Sequence, residues 1–195
     1  MSTPLSSIQV VVPVYYCDES LYLPIMHCLA SLEGYDVILV DDCSPLDHDF
    51  PITIQNSPNL GYTSTVNAGL KIATADVIVV CNDDIVMTKE CMERFQDLPD
   101  GVIASPMDTS SSDDELFGAV FGMRRSVYEE IGGLDENFKH FFSDTEYIQR
   151  AKNRGIEIIK WYDITLDHPE SSTYKLLDKK TLLEEDRKVW ERSIR

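Results

Sequence analysis

The sequence predicts an α/β fold with a mostly parallel central sheet flanked by helices, and three observations lead to it. Short apolar runs rich in Val and Ile alternate with helical patterns through the first half of the chain. Strands that alternate with helices imply right-handed crossovers and parallel neighbours in one sheet. Two of the runs end in paired carboxylates, Asp41-Asp42 and Asp83-Asp84. Because open α/β sheets bind ligands at the carboxyl ends of their strands, these pairs are candidate ligand-binding residues.

The first two strands and the helix between them follow from local composition. The run Ile-Gln-Val-Val-Val-Pro-Val at 8–14 predicts a buried strand, with Pro13 near its end, where a missing amide donor is tolerated. A helix is predicted over 21–32, and Gly34 breaks it. The apolar run at 36–40 predicts the second strand, which leads directly into the first aspartate pair.

The middle of the chain repeats the alternation. A weaker strand is predicted at 52–55, a turn at 59–62 and a helix at 65–73, whose apolar positions recur at helical spacing. The five apolar residues at 77–81 are typical of a strand covered on both faces, and they run into the second aspartate pair. The next helix is predicted at 89–96.

The second half is predicted from glycine breaks and shorter patterns. Its elements are a strand at 102–105, a polar surface loop at 108–115, a strand at 117–123, a short helix ended by Gly132-Gly133, a helix at 143–154, a strand at 156–161 and a helix at 181–194. With 195 residues and neither a repeat nor a linker, the chain is expected to form one domain. Residues 1–105 are expected to form its nucleotide-binding half, and residues 106–195 the acceptor-side half.

Composition excludes several classes of partner. A net charge of −17 opposes extended contact with nucleic acid or an anionic membrane, and an anionic small substrate would need a cation beside it. The five cysteines are odd in number and form no Cys-x-x-Cys pair, so buried reduced thiols are expected rather than a zinc site or a disulfide framework. No apolar segment has the length of a transmembrane span and the N-terminus lacks a secretory pattern, so a cytoplasmic location is expected.

Three acidic clusters lie at predicted element boundaries: Asp41-Asp42, Asp83-Asp84, and Asp144 with Glu146. One cluster can hold a divalent cation through hard oxygen ligands, a second can deprotonate a nucleophile, and a third can accept hydrogen bonds from a ribose or base. A structural interpretation stands beside each. The aspartate pairs can simply end strands and begin turns, and a Val-Asp-Asp strand end also occurs in phosphoacceptor receiver domains. The pattern Ser143-x-x-Glu146 is also that of a capping box at a helix start.

Taken together, the motifs resemble those of family 2 glycosyltransferases, which have the GT-A nucleotide-diphospho-sugar fold. The segments that carry the resemblance are Val-Val-Pro-Val-Tyr (11–15), Val-Asp-Asp-Cys-Ser (40–44), Asn-Leu-Gly-Tyr (59–62), Asn-Ala-Gly-Leu (67–70), Asn-Asp-Asp (82–84), Gly-Gly-Leu-Asp-Glu-Asn-Phe (132–138), Ser-Asp-Thr-Glu (143–146) and His168. Their order and spacing extend over most of the chain. The resemblance implies a single GT-A domain, Rossmann-like, with a small antiparallel element in its second half.

The resemblance also implies which residues bind the nucleoside-diphosphate sugar. Pro13, Tyr15 and Glu19 are expected to line the nucleobase pocket, and Asp42 to contact the base or ribose. The donor side further includes Gly61, Asn67, Asn82 and Asp83, although Gly61 is also typical of a turn.

Metal binding and catalysis are placed by the same resemblance. Asn82-Asp83-Asp84 stands where the family has Asp-x-Asp, so Asp84 is the expected ligand of Mn²⁺ or Mg²⁺. His168 is either a second metal ligand or diphosphate contact, or an ordinary surface histidine. Asp144 matches the aspartate of the family's Glu-Asp pair and is the expected general base. The chain departs from the pattern at Asn82 and Ser143, each of which replaces a carboxylate.

The implied activity is metal-dependent, inverting transfer of a hexosyl group from a UDP- or dTDP-sugar to an acceptor hydroxyl. The acceptor is open among saccharides, glycolipids, proteins and small molecules, and so is the oligomeric state. One alternative is an inactive nucleotide-sugar-binding module, in which Asn82 and Ser143 mark lost catalysis. A weaker alternative is a sugar nucleotidyltransferase.

Overall fold

A computed structural model describes residues 6–108, 118–166, 176 and 178–193. The strands are β1 (Ile8–Val14), β2 (Asp36–Asp41), β3 (Ile54–Gln55), β4 (Val77–Cys81), β5 (Val102–Asp108), β6 (Val120–Arg124) and β7 (Glu157–Leu166). The helices are α1 (Tyr22–Ser31), α2 (Tyr62–Ile72), α3 (Lys89–Gln96), α4 (Arg125–Ile131), α5 (Ser143–Asn153) and α6 (Lys179–Ser193), and a 3-10 turn at Glu19–Leu21 precedes α1. The predicted α/β class is confirmed.

The strands form a seven-stranded sheet in the order β3-β2-β1-β4-β6-β5-β7. Strands β1, β2, β3 and β4 are mutually parallel, as are β5 and β7. Strand β6 runs antiparallel to both β4 and β5, which confirms the antiparallel element expected in the second half. The first strand therefore lies in the middle of the parallel part, and the carboxyl ends of β2, β1 and β4 meet at one edge.

Two apolar cores cover the two faces of the sheet. On one face Val10, Val12 and Leu39 pack in a core that also receives α1 and α3, and on the other face Val11 and Val40 pack beside α2, α4 and α5. Adjacent residues of β1 point to opposite faces, and all of them except Gln9 are buried, so the strand is apolar at all its remaining positions. Burial of each such side chain contributes about 1.5–3 kcal/mol, which fixes the sheet that carries the site.

Several element boundaries differ from the predictions. Helix α2 begins at Tyr62, earlier than predicted, because Gly61 at φ 85° forms its N-cap. Strand β7 continues to Leu166 through an irregularity in its pairing with β5. Most of the polar loop predicted at 108–115 lies outside the described residues, since β5 ends at Asp108 and residues 109–117 are not described. Within the described parts of the chain, no helix is both long and apolar enough to cross a membrane.

Candidate active site

The carboxyl ends of β1 and β2 are joined just where the first aspartate pair begins. The backbone N–H of Asp42 donates to the carbonyl of Val14 at 2.8 Å, which extends the pairing one residue beyond the strands. Pro13 is buried, and the pairing of β1 with β4 ends at Val11, so Pro13 lies where β1 pairs with β2 alone. Tyr15, the next predicted donor residue, is half-buried at this edge.

Asp42 organises the turn that follows β3. Its carboxylate accepts hydrogen bonds from the backbone N–H groups of Leu60 at 2.8 Å and Gly61 at 2.9 Å, and from Asn56 Nδ2 at 3.0 Å. The side chain is 5% exposed. These contacts give Asp42 the turn-ordering role that was the structural alternative, and its contact with a base or ribose stays a prediction. Asp41 is fully buried and accepts from Ser44 and Gln55, so it supports the loop after β2.

Position 61 requires a glycine because of its backbone conformation and because Lys139 lies close to it. Its φ of 85° is in the left-handed region, and a Cβ there would lie 3.2 Å from the carbonyl oxygen of Lys139. The same carbonyl accepts the backbone N–H of Thr63 at 3.1 Å. The start of α2 is thereby tied to the segment that precedes α5.

The segment Asn82-Asp83-Asp84 turns sharply at the end of β4. The N–H of Asn82 donates to the carbonyl of Ala119 at 2.8 Å, and the N–H of Ile85 donates back to the carbonyl of Asn82 at 3.3 Å. Asp84 is 7% exposed and Asp83 is half-buried. The three oxygen-bearing side chains therefore follow a fully buried strand, at the sheet edge where Asp42 lies.

Two buried thiols lie beneath this turn. The Sγ atoms of Cys28 and Cys81 each lie 3.4 Å from the carbonyl oxygen of Asn82 and donate to it. A hydrogen bond with Cys28, together with burial, raises the pKa of the Cys81 thiol, and burial raises the pKa of Cys91 to about 12. Cys81 and Cys91 therefore stay protonated, and the Cys81 thiol acts as a donor. All five cysteines are free, although Cys17 and Cys43 are half-exposed rather than buried as predicted.

Asp144 lies in the first turn of α5, beside the start of β6. A Cβ atom at Gly118 would lie 2.6 Å from Asp144 Oδ2, so only a glycine leaves room for this carboxylate. Residue 119, next along the chain, carries the carbonyl that holds Asn82. Asp144 and Asn82 thus contact adjacent residues of one short segment, Gly118 and Ala119. The dipole of α5 stabilises negative charge at this position.

Comparison with known proteins identifies the family. Residues 9–117 match the family described as Glycosyl transferase family 2. The chain belongs to this family. Membership favours glycosyl transfer over the nucleotidyltransferase alternative. No curated protein sequence matches the chain significantly.

Solved structures of glycosyltransferases share the fold at low sequence identity. The mannosyltransferase PcManGT from Pyrobaculum calidifontis, in complex with GDP-Man and Mn²⁺, has a TM-score of 0.69 at 16% identity, over 87% of this chain and 59% of that one. TarS 1–349 from S. aureus, in complex with UDP-GlcNAc, has a TM-score of 0.63 at 15% identity, over 85% and 60%. The catalytic domain of Drosophila beta1,4galactosyltransferase 7, complexed with xylobiose, has a TM-score of 0.62 at 15% identity, over 87% and 73%. The chain spans about three fifths of the first two proteins.

Asn67, a predicted donor residue, is hydrogen-bonded within the protein. Asn67 is 5% exposed, and its amide accepts the N–H of Leu134 at 2.9 Å and donates to the Leu134 carbonyl at 2.8 Å and to Glu136 at 3.0 Å. Both ends of the amide are therefore committed to the 133–136 loop. This arrangement gives Asn67 a supporting role that ties α2 to the 133–136 loop, and its contact with the donor stays a prediction.

The predicted capping box at α5 is wrong. Phe142 is the N-cap in a left-handed conformation, and Ser143 is the first helical residue, 2% exposed. The side chain of Glu146 instead accepts from Arg150 at 2.6 and 2.9 Å, because the two residues lie one turn apart on α5. Arg150 also donates to the carbonyl of Gly133 at 2.9 Å. Glu146 is therefore structural, as expected, but through an ion pair rather than a cap.

The side chains at the end of β4 fit a divalent cation. Asn82 Oδ1 is buried and has no hydrogen-bond partner among the described residues, so this oxygen is free to act as a ligand. Asp84 adds a carboxylate two residues further along the same turn. Within the described parts of the chain, no group of three or more His, Cys, Asp and Glu side chains is close enough to hold a metal by itself. This is compatible with Mg²⁺ or Mn²⁺, which commonly use one or two carboxylates, waters and substrate phosphates.

Two of the residues predicted to line the nucleobase pocket are not fully buried. Burial, followed by the nearby Cys17 thiol and the Asp42 carboxylate, raises the pKa of the Tyr15 phenol, so Tyr15 stays neutral near Asp42. Glu19 is exposed in the 3-10 turn that precedes α1. His168 lies outside the described residues. No sequence pattern pointed to Gly118, whose role depends on its contact with a residue distant along the chain.

Proposed function

We propose that this family 2 glycosyltransferase moves a hexosyl group from a nucleoside-diphosphate sugar to an acceptor hydroxyl, with inversion and with Mn²⁺ or Mg²⁺. The observation that carries the proposal is the placement of Asp144 beside Gly118, one residue from the carbonyl that holds Asn82. A carboxylate on one side and a group of hard oxygen ligands on the other is the arrangement that a single displacement requires.

The donor lies, in this proposal, across the carboxyl ends of β1, β2 and β4. Tyr15 and Asp42 face the nucleobase and ribose, and Asp83 contacts the ribose or the sugar. The fold-related structures of PcManGT and TarS hold GDP-Man and UDP-GlcNAc, which supports a nucleotide-sugar donor without selecting its base. A uracil or thymine base remains the family-based prediction.

Asp144 acts as the general base. Its carboxylate accepts the proton of the acceptor hydroxyl while that oxygen forms a bond to the anomeric carbon, and the bond from that carbon to the diphosphate breaks on the opposite face. Position in the first turn of α5 keeps the carboxylate oriented, since Oδ1 already accepts the N–H of Thr145 at 2.8 Å. Because bond formation and bond breaking occur on opposite faces, the anomeric configuration inverts.

Asp84 and Asn82 hold the cation through their oxygens. When bound, a divalent cation neutralises the charge that develops on the leaving diphosphate. The chain itself is strongly acidic, with a net charge of −17, so a dianionic leaving group would otherwise meet a repulsive field. Asn82 supplies a neutral ligand where the family pattern has a carboxylate, so Asp84 carries the larger share of the electrostatic attraction.

A donor screen by thermal shift tests the binding part of the proposal. UDP-, dTDP- and GDP-sugars are added with Mn²⁺ and, in parallel, with EDTA. At least one donor is expected to raise the melting temperature only with metal, and Asp84→Asn is expected to abolish that shift. Asp97→Asn makes the same chemical change at an exposed position and is expected to keep it. If no nucleotide stabilises the protein under either condition, the proposed donor site is refuted.

A further inference from the structure

A buried carboxylate from the C-terminal helix holds the segment that leads to Asp144. Asp186 of α6 is 2% exposed, and it accepts hydrogen bonds from three consecutive backbone N–H groups. The N–H of Lys139 donates to Oδ1 at 3.0 Å, and those of His140 and Phe141 donate to Oδ2 at 2.8 Å each. Successive backbone N–H groups that converge on an anion form a nest, and the bonds are strengthened by the charge of the carboxylate.

The other side of the same segment contacts the donor edge. The carbonyl of Lys139 accepts the N–H of Thr63, and it lies 3.2 Å from the Cβ position of Gly61. Gly61 in turn donates its N–H to Asp42. The segment 139–141 is therefore held from one side by α2 and from the other by Asp186.

The segment ends in a residue whose conformation needs support. Phe142 has a φ of 62°, a region that L side chains other than Asn and Asp rarely adopt, and it forms the N-cap of α5. Its ring stacks on Trp190 of α6 at 6.0 Å with an interplanar angle of 11°, and Trp190 also lies 6.4 Å from Phe138. Helix α6 thus fixes both the backbone and the ring of the residues that precede Asp144.

We propose that Asp186 is a positioning residue for Asp144. By holding the N–H groups of residues 139–141, Asp186 sets the left-handed turn at Phe142 and thereby the angle at which the first turn of α5 presents the Asp144 carboxylate. This inference rests on the proposed function, in which Asp144 is the base. The family match ends at residue 117, so it assigns no role to α6. Asp186 acts only through the segment and does not meet the reacting atoms.

The experiment compares Asp186→Asn with Glu185→Gln, a neighbouring, exposed position on α6 where the same charge is removed. With an acceptor chosen from a panel of saccharides, glycolipids, peptides and small hydroxyl compounds, nucleotide release from the donor is measured for kcat and KM. Hydrogen–deuterium exchange is measured for peptides that cover 139–145. In Asp186→Asn, exchange of these peptides is expected to rise and kcat to fall roughly 10- to 100-fold, since a small displacement of a reacting group has that effect. The donor KM is expected to stay within about threefold of the parent value, because the donor ligands are untouched. Glu185→Gln is expected to match the parent.

A purely structural role predicts a different result. If Asp186 only attaches α6 to the fold, Asp186→Asn melts at a lower temperature but keeps the kcat of Glu185→Gln below its melting temperature, which overturns the proposal. A fall in kcat without faster exchange at 139–145 also overturns it. Asp186→Glu keeps the charge and is expected to recover part of the lost kcat, and it replaces Asp186→Asn if that variant does not fold. A parent protein that releases no nucleotide refutes the proposed function, and this inference with it. An active parent with a fully active Asp186→Asn refutes the positioning role alone.

Discussion

Gly118 and Asp144 are in contact: a Cβ atom on Gly118 would lie 2.6 Å from Asp144 Oδ2 and 3.2 Å from its Cβ. The two residues are far apart in the sequence, since Gly118 lies in the turn before β6 and Asp144 in the first turn of α5. Tyr62 reaches the same point, since its hydroxyl donates to the carbonyl of Gly118 at 2.9 Å. The carboxylate of Asp144, the proposed base, therefore occupies space that a side chain at position 118 would take.

Replacement of this glycine tests the geometry without removing the base. In Gly118→Ala, the added methyl group is expected to displace the Asp144 carboxylate and lower kcat for nucleotide release by at least about tenfold. Because a carboxylate can rotate away, the free energy of unfolding is expected to change by less than about 1 kcal/mol. Steady-state kinetics and urea unfolding measure the two quantities. A variant with the parent's kcat would contradict the placement of Asp144.

Replacement of Gly69 is expected to lower stability, in contrast to replacement of Gly118, which is expected to lower kcat. A Cβ on Gly69 would lie 2.4 Å from Val11 Cγ1 and 3.2 Å from Val40 Cγ2, both of which belong to fully buried side chains. Gly69→Ala is therefore expected to destabilise the fold by about 1–3 kcal/mol through overpacking, as measured by urea unfolding. Gly101→Ala is the comparison variant. A Cβ there meets open space and the φ of Gly101 is 71°, so any loss of stability in that variant measures backbone strain without a steric clash. Equal stability of Gly69→Ala and the parent would contradict the packing of α2 on the sheet.

His140 makes stability depend on pH. Burial lowers its pKa below the ordinary value, while Asp186 and Asp42 oppose the shift in part. The unfolded chain therefore binds a proton at a higher pH than the folded chain does. The stability associated with neutral His140 is present above about pH 6.5 and is lost as pH falls through the folded pKa. Urea unfolding at pH 7.5 and 5.0 should show a larger loss for the parent than for His140→Gln. An identical loss in both proteins would contradict the shift.

The thiols are expected to separate into two classes. Cys17 and Cys43 are half-exposed, whereas Cys28, Cys81 and Cys91 are buried. Because thiolates are the reactive species, the high pKa values of Cys81 and Cys91 add to their protection. Titration with a coloured disulfide reagent should modify only the half-exposed pair in the native protein and all five thiols in urea. Equal rates for all five in the native protein would contradict the packing beneath Asn82.

Much of the fold followed from burial alone. Strands β1 and β4 are covered on both faces, so their residues are apolar except for Gln9 and their positions were evident from the sequence. The ends of β2 and β4 then located Asp42 and Asp84 at one edge. The contacts of Asp186 could not be predicted, because its partners are backbone N–H groups, which every residue type except proline carries. The Ser143-x-x-Glu146 pattern wrongly predicted a capping box, because the Glu146 side chain accepts hydrogen bonds from Arg150 instead.

The hydrogen bonds of Asn67 could not be predicted from the sequence either. The family resemblance implied a donor contact for this residue, which stays a prediction, and only the folded position of the 133–136 loop shows that its amide pairs with Leu134 and Glu136. Local patterns predict which residues are polar at a strand end or helix face. They do not show which distant segment will satisfy those residues.

Nucleotide release by the parent and by Asp144→Asn tests the central claim most directly. Each protein is incubated with Mn²⁺, the donor that binds most tightly and a panel of saccharide, glycolipid, peptide and small-molecule acceptors, and both donor affinity and the rate of nucleoside-diphosphate release are measured. The parent is expected to release nucleotide, and Asp144→Asn to bind the donor with unchanged affinity while its rate falls by about 10²–10⁴-fold. A parent that binds donors but releases nucleotide from none would indicate a nucleotide-sugar-binding module. An Asp144→Asn variant as fast as the parent would show that the base lies elsewhere.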